Sequence, residues 1–218
     1  MTLLELSNIS YIVKDKSIIR DVSLSVNQGD YITIVGPSGS GKSTLLKLCS
    51  DLISPTSGTI TYNGRPLTAI DPESYRREVG YCFQRPYLFA KTVRHNILFP
   101  YDIRGLEPDM SRIEYLFDLL HMPLNYMERR NDELSGGEMQ RICLIRSLIF
   151  EPNVLLLDEV TSALDATNTS IVEHVIDELH KKGITIISIT HNEEQSLRTA
   201  NRRITIVDGQ LAKEEVLR

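Results

Sequence analysis

The 218 residues carry 24 Lys and Arg against 29 Asp and Glu, a formal net charge of -5, with 41% hydrophobic and 24% charged side chains. This is the balance of a folded globular domain and excludes a disordered chain or one built of membrane spans. No basic excess is available for the phosphate neutralisation that dominates nucleic-acid affinity, so nucleic acid is not expected as a partner. The length suits one large α/β domain, alone or with a small insertion.

Cys49, Cys82 and Cys143 are odd in number, widely spaced and set in apolar segments. They read as core thiols of a reducing compartment. Met1–Ser10 has no basic region followed by a continuous apolar stretch, so no signal peptide is expected. The apolar runs are strand-length, below the roughly 20 residues of a spanning helix.

In chain order, Leu3–Val13 and Ile18–Val26 alternate as strands, and Asn27–Asp30 turns into a buried strand at Tyr31–Val35. The glycine-rich stretch Gly36–Gly41 leads into a helix over Lys42–Asp51, where Leu45, Leu46 and Leu48 have helical spacing. After the Ser54–Gly58 break, Thr59–Tyr62 reads as strand, and Asp71-Pro72 places a capping carboxylate before proline at the first helical position. From Arg85 to Glu133 the pattern is helical, with Ile113, Leu116, Phe117 and Leu120 on one face of a helix over Asp109–His121. Asp132–Gly137 breaks it, and a helix over Glu138–Phe150 follows. The strand Val154–Leu157, a helix at Asn168–Lys181, the strand Ile184–Thr190, a short helix and the strand Ile204–Val207 complete the pattern. Such alternation favours a mostly parallel sheet covered on both faces. With so short a stretch after the final strand, a substantial C-terminal regulatory domain is not expected.

Gly36-Pro37-Ser38-Gly39-Ser40-Gly41-Lys42-Ser43-Thr44 fits G-x-x-x-x-G-K-[ST]. Glycines let successive main-chain N–H groups curl around one anion, a lysine at Lys42 serves the β/γ-phosphates, and the Ser43 hydroxyl suits Mg²⁺. The helix start adds roughly half a positive charge. A nucleoside triphosphate is the indicated ligand. Val154–Leu157 ends in Asp158-Glu159, at the carboxyl end of a buried strand, where open α/β sheets bind ligands. Asp158 there would hold Mg²⁺ through water, and Glu159 would orient or deprotonate the attacking water. Leu134-Ser135-Gly136-Gly137-Glu138 has the S-x-x-E spacing of a capping box. It also opens a helix with glycines, which can receive an anion. With one phosphate loop already present, this second anion site makes sense if it closes over the nucleotide of another subunit.

These motifs in this order resemble the ABC ATPases over nearly the whole chain. Gly36–Thr44 looks like Walker A, Val154–Glu159 like Walker B and Leu134–Arg141 like the signature. Ser162–Asp165 resembles the D-loop, His191 the switch histidine, Gln84 the glutamine that joins Mg²⁺ to the helical subdomain, and Tyr11 the aromatic that stacks on adenine. The resemblance implies a P-loop NTPase core with a mostly parallel sheet, an N-terminal antiparallel β subdomain and an inserted helical subdomain. Residues 1–84 and 138–218 would form the core and about 85–137 the helical part. It implies ATP and Mg²⁺ as cofactors, with Lys42, Glu159 and His191 as catalytic groups. Metal contacts would come from Ser43, Gln84 and Asp158. Nucleotide contacts would come from Tyr11, Gly36–Thr44 and Gln84, and Ser135, Gly136, Gly137, Glu138 and Asp165 would complete the site across a dimer. Two departures from the family pattern stand out: Glu138 replaces the commonest signature glutamine, and Val160 replaces a frequent proline.

The same resemblance implies a homodimer closed by ATP and a separately encoded multispanning permease that holds the chain at the cytoplasmic face of the cell membrane. Arg85–Phe89 carries three large side chains where the family receives a coupling helix, and core packing explains them equally well. Ser50–Gly58, Gly80–Gln84 and Thr92–Pro100 look most similar to the iron-export type. The alternative is a soluble ABC ATPase acting as a nucleotide-gated scaffold in assembly or cell division.

Overall fold

The computed structural model describes residues 1–190, 197 and 199–217. Two long strands, β1 (Thr2–Val13) and β2 (Lys16–Asn27), form an antiparallel hairpin. Lys14 and Asp15 make its two-residue turn, both at positive φ as a turn matched to strand twist requires. Strands β4 (Ser57–Tyr62) and β5 (Arg65–Pro66) extend it into a four-stranded antiparallel sheet in the order β2-β1-β4-β5.

The second sheet has six strands in the order β10-β9-β3-β8-β7-β6. Strands β3 (Tyr31–Val35), β6 (Val79–Cys82), β7 (Val154–Asp158), β8 (Thr185–Ile189) and β9 (Arg202–Val207) run parallel. Only β10 (Gln210–Val216), at one edge, is antiparallel. All five residues of β7 and of β8 are buried, because both faces are covered. The pleat sends alternate residues to opposite cores. Leu156, Ile187 and Ile189 join β1, β2 and the leucines of helix α1 (Lys42–Cys49) on one face. On the other face Leu155, Leu157 and Ile186 join the apolar stripes of helices α3 (Val93–Asp102), α4 (Met110–Leu119), α5 (Gly136–Leu148) and α6 (Ala166–Lys181).

Helix α2 (Pro72–Glu78) is capped by Asp71, which accepts from Ser74 N at 2.8 Å. Ile113, Leu116, Phe117 and Leu120 are all fully buried, the face that the periodicity selects. The 85–133 stretch is more broken than its pattern suggests: α3 and α4 are each ten residues, and two 3₁₀ turns (Leu124–Glu128, Asn131–Glu133) follow. Fully buried Asn96 organises the loop before α3, accepting from Phe89 N and Arg146 and donating to Thr92 O at 2.8 Å. Helix α5 starts two residues earlier than expected from its glycines, because Ser135 caps it.

All three cysteines are buried, and loss of hydration pushes the Cys49 and Cys82 thiols up to about 12, as inert core residues require. No helix among the described residues is long and apolar enough to cross a membrane.

Candidate functional site

The loop between β3 and α1 is fixed by where glycine is compulsory. At Gly36 φ is +141°, and a Cβ would lie 2.0 Å from the main-chain oxygen of Ile206 in β9. At Gly41 φ is +103°, and a Cβ would meet Ile19 Cδ1 at 2.8 Å and Ile18 O at 2.9 Å. The loop is therefore pressed against β9 and β2. The turn between β9 and β10 locks it from behind, with Gly209 N donating to Ser40 O at 3.0 Å.

Lys42, 5% exposed, donates from Nζ to Gly36 O at 2.9 Å and Pro37 O at 2.8 Å. Burial pulls its ammonium below the ordinary lysine value, and the charges of Glu159 and Asp158 oppose that shift. Asp158 ends β7 at 4% exposure, and Glu159 follows at positive φ, which turns the chain off the sheet. A buried carboxylate needs partners. Ser43 Oγ donates to Asp158 Oδ1 at 2.8 Å, and Tyr81 OH donates to Oδ2 at 2.8 Å. Burial, then the bond to Asp158, raises the Tyr81 phenol far above its usual range, so it stays a donor. Gln84, just past β6, donates from Nε2 to Glu159 Oε2 at 2.7 Å.

Together Ser38, Gly39, Gly41, Lys42, Ser43, Thr44, Gln84 and Glu159 line a cavity of about 270 Å³, with Ile18 at its wall. Its chemistry is a cation set in curled amides, opposite hydroxyl, carboxylate and amide oxygens. Those are hard oxygen ligands that can coordinate Mg²⁺ or accept hydrogen bonds from its bound waters, so the residues present fit that ion.

The signature lies elsewhere. Ser135 caps α5, accepting from Glu138 N at 3.3 Å, while Glu138 Oε2 accepts from Ser135 N at 2.7 Å. The second Glu138 oxygen accepts from Tyr126 OH at 2.6 Å, and Arg129 stands 3.7 Å away. The Glu138 side chain is thus fully engaged within its own chain. Ser135 and Gly136 are exposed and line no part of the phosphate cavity. A Cβ at Gly137 would lie 3.0 Å from Asn168 Nδ2, and Asn168 is held by Asp165, the N-cap of α6, at 2.7 and 2.8 Å. The signature and the Asp165 turn therefore touch through one amide.

Tyr11 is half-buried in β1, opposite Ile19 and packed against the apolar core, and does not line the cavity. His191 lies outside the described residues. Sequence reasoning missed Tyr81, Asn168 and the Gly209 turn. The Asp208-Gly209 dipeptide was the available signal for the turn, whereas nothing local marks the reach of Tyr81.

A strand ending in a glycine loop, a buried lysine and a carboxylate pair two strands away define a P-loop nucleoside triphosphatase. Within that class, the profile of the ABC transporter family matches residues 19–162, and the chain belongs to this family as an ATP-binding ATPase subunit. It is 42% identical over 205 residues to the probable iron export ATP-binding protein FetA of Escherichia coli (strain K12), spanning 94% of this chain and 91% of that protein. It is also 34% identical over 226 residues to the phosphate import ATP-binding protein PstB of Oceanobacillus iheyensis, spanning 94% of this chain and 82% of that one. Among solved structures, the dimeric ATP-binding cassette MJ0796 in a post-hydrolysis state with ADP and Pi matches with a TM-score of 0.89, at 26% identity, over 99% of both chains.

Proposed function

We propose that two copies of this chain close over two ATP molecules and drive a separately encoded membrane permease, working at the cytoplasmic face of the cell membrane. One observation carries the reading. The exposed start of α5, at Ser135 and Gly136, bears helix N-terminal amides yet takes no part in the chain's own phosphate cavity. A second copy's triphosphate is the ligand that such a split arrangement fits. The likeness to a cassette solved as a dimer supports it.

In this reading the amides of Gly36–Thr44 grip the phosphates, and Lys42 neutralises charge at the β/γ bridge. Ser43 and Gln84, with Asp158 through water, hold Mg²⁺, which supplies further charge neutralisation when bound. Glu159 takes the proton of the attacking water, and Gln84 fixes the orientation of its carboxylate. His191, which matches the family's switch histidine in the sequence, assists the hydrolysis, and Asp165, Gly137 and Glu138 shape the partner side. Tyr11, near the end of β1, meets the adenine.

The permease reading rests on a second cavity, of about 320 Å³, between β6, α3 and α5. Phe83, Tyr87, Phe89 and Ile103 at its mouth are exposed, Tyr87 to 69% and Ile103 to 64%, while Leu88 packs inward on the core. An open aromatic patch of this kind is the signature of a binding face. Iron export is proposed as the task because the sequence is similar to FetA along nearly its whole length.

The decisive test replaces Glu159. Glu159→Gln keeps the size and the contact with Gln84, so ATP should still bind while turnover falls by about 10²–10⁴. Light scattering should then show an ATP-dependent dimer that persists. Turnover at the parent rate would refute the assignment of the base, and a chain that stays monomeric with ATP would refute the pairing.

A further inference from the structure

Asp158 is held from two sides, and only one of them is the phosphate loop. Strand β6 pairs with β7 so that Tyr81 lies opposite Leu156, and neighbouring residues of a parallel pair share a face. Asp158 is the next residue of β7 on that face, about 6.6 Å further along the strand. A tyrosine is long enough to cover that rise, and its hydroxyl meets Asp158 Oδ2 at 2.8 Å. With Ser43 on Oδ1, each carboxylate oxygen has its own donor. The Tyr81 ring is in turn held edge-on by Phe83, centroids 4.6 Å apart and planes at 64°. Tyr81 and Phe83 both line the aromatic cavity beside β6, and Phe83 is 49% exposed at its mouth.

We propose that Tyr81 is a positioning residue for the metal-binding carboxylate: its hydroxyl fixes the Asp158 rotamer that faces Ser43, and Phe83 ties that hydroxyl to the aromatic face of the protein. The inference rests on the reading of Asp158 as the Mg²⁺-side carboxylate. It gives the aromatic face a connection to the metal site separate from the one through Gln84 and Glu159. Anything that displaces Phe83 displaces the donor on Asp158.

The test separates metal from nucleotide. Wild type and Tyr81→Phe are titrated with a fluorescent ADP analogue in EDTA, then with Mg²⁺ or Mn²⁺ at fixed ADP, and the Mn²⁺–ADP complex is examined by electron paramagnetic resonance. Tyr81→Phe keeps the ring stack and loses only the donor. Metal-free ADP affinity should stay within about twofold, while the divalent half-saturation rises about tenfold, the usual effect of removing a partner of a metal-binding group. The Mn²⁺ spectrum should broaden as the carboxylate samples more than one orientation. Phe83→Ala keeps the hydroxyl and loosens the ring, so it should move the half-saturation in the same direction by less, and it decides the matter if Tyr81→Phe does not fold.

Equal losses with and without metal would show that the hydroxyl merely satisfies a buried carboxylate, and an unmoved half-saturation would overturn the proposal outright. A wild type whose ADP affinity ignores divalent ions would instead sink the assignment of Asp158.

Discussion

Glu138 is where the signature departs from the commonest family residue, and the structure gives that carboxylate three jobs. It accepts from Ser135 N at 2.7 Å, accepts from Tyr126 OH at 2.6 Å and stands 3.7 Å from the Arg129 guanidinium, with its side chain 17% exposed. Glu138→Ala removes a capping bond, worth about 1 kcal/mol, and a hydrogen bond to a charged group, worth roughly 1.5–3 kcal/mol. Because the two share one side chain, a combined loss of about 2–4 kcal/mol is expected, which for this size of domain is roughly 5–15 °C in Tm. Glu138→Gln keeps one acceptor for Ser135 N and can keep the Tyr126 contact only with its direction reversed, Nε2 donating to the phenol oxygen, and should lose about 1 kcal/mol.

The pH dependence has a definite sign. Desolvation opposes ionisation of Glu138, but the bonds from Tyr126 and Ser135 and the Arg129 charge outweigh it and hold the carboxyl below its ordinary range. A depressed carboxyl stabilises the fold above its unfolded value, near about 4.3, and that contribution disappears as pH falls through the folded value. Urea denaturation followed by circular dichroism at pH 7 and at pH 3.5–4.5 should therefore show the gap between wild type and Glu138→Gln narrowing in acid. Glu138→Ala within about 0.5 kcal/mol of wild type, Gln and Ala variants that coincide, or a gap indifferent to acid would refute the reasoning.

Two further substitutions test the glycine geometry. Gly36→Ala places a methyl 2.0 Å from Ile206 O, a main-chain atom that no rotamer change can move. Nucleotide affinity, read with a fluorescent analogue, should fall more than about tenfold, whereas Gly39→Ala, which has open space and only φ of +76° to contend with, should cost about 1 kcal/mol of stability or a little more. Gly137→Ala gains up to about 1 kcal/mol of helix propensity but presses on Asn168 Nδ2 at 3.0 Å. In the Glu159→Gln background it should weaken ATP-driven dimerisation, measured by light scattering, more than it weakens ADP binding by the monomer; equal effects would place Gly137 outside the partner surface.

What was legible in the sequence is what is local. The phosphate loop, the Asp158-Glu159 pair and the S-x-x-E box are each set by a few consecutive residues, and α4 shows its buried face through Ile113, Leu116, Phe117 and Leu120. The Gly136-Gly137 pair reads as a helix break, yet the Ser135 cap and the Glu138 return bond make it the first turn of α5. Strand β6 is four residues with a glycine inside, and that glycine is explained by Pro152 and Leu155, distant in sequence, whose Cγ and Cδ1 would lie 3.3 and 3.4 Å from a Cβ there. Strand β10 carries Lys213, Glu214 and Glu215, too polar for a strand until β9 supplies Arg202 and Arg203 as partners across the ladder. Val160, the other departure, is 6% exposed in the core, which accounts for an apolar residue there.

The end of β6 shows how one short strand can serve two distant requirements. Successive residues leave a strand on opposite sides, so Tyr81 and Phe83 share one side while Cys82 is buried on the other. Tyr81 reaches Asp158, and Gln84, one residue beyond Phe83, reaches Glu159. Four consecutive residues thus bind both carboxylates of the site and present an aromatic ring at the cavity mouth. The parallel ladder between β6 and β7 fixes their register, so the ring and the two carboxylates keep one relative geometry. On the proposal made above for Tyr81, a displacement at the mouth would be carried to both carboxylates, to Asp158 through Tyr81 and to Glu159 through Gln84. If Tyr81 and Gln84 do form this pair of links, Tyr81→Phe and Gln84→Ala should each weaken the response of ATPase to the bound permease, and the double variant should lose more than either alone.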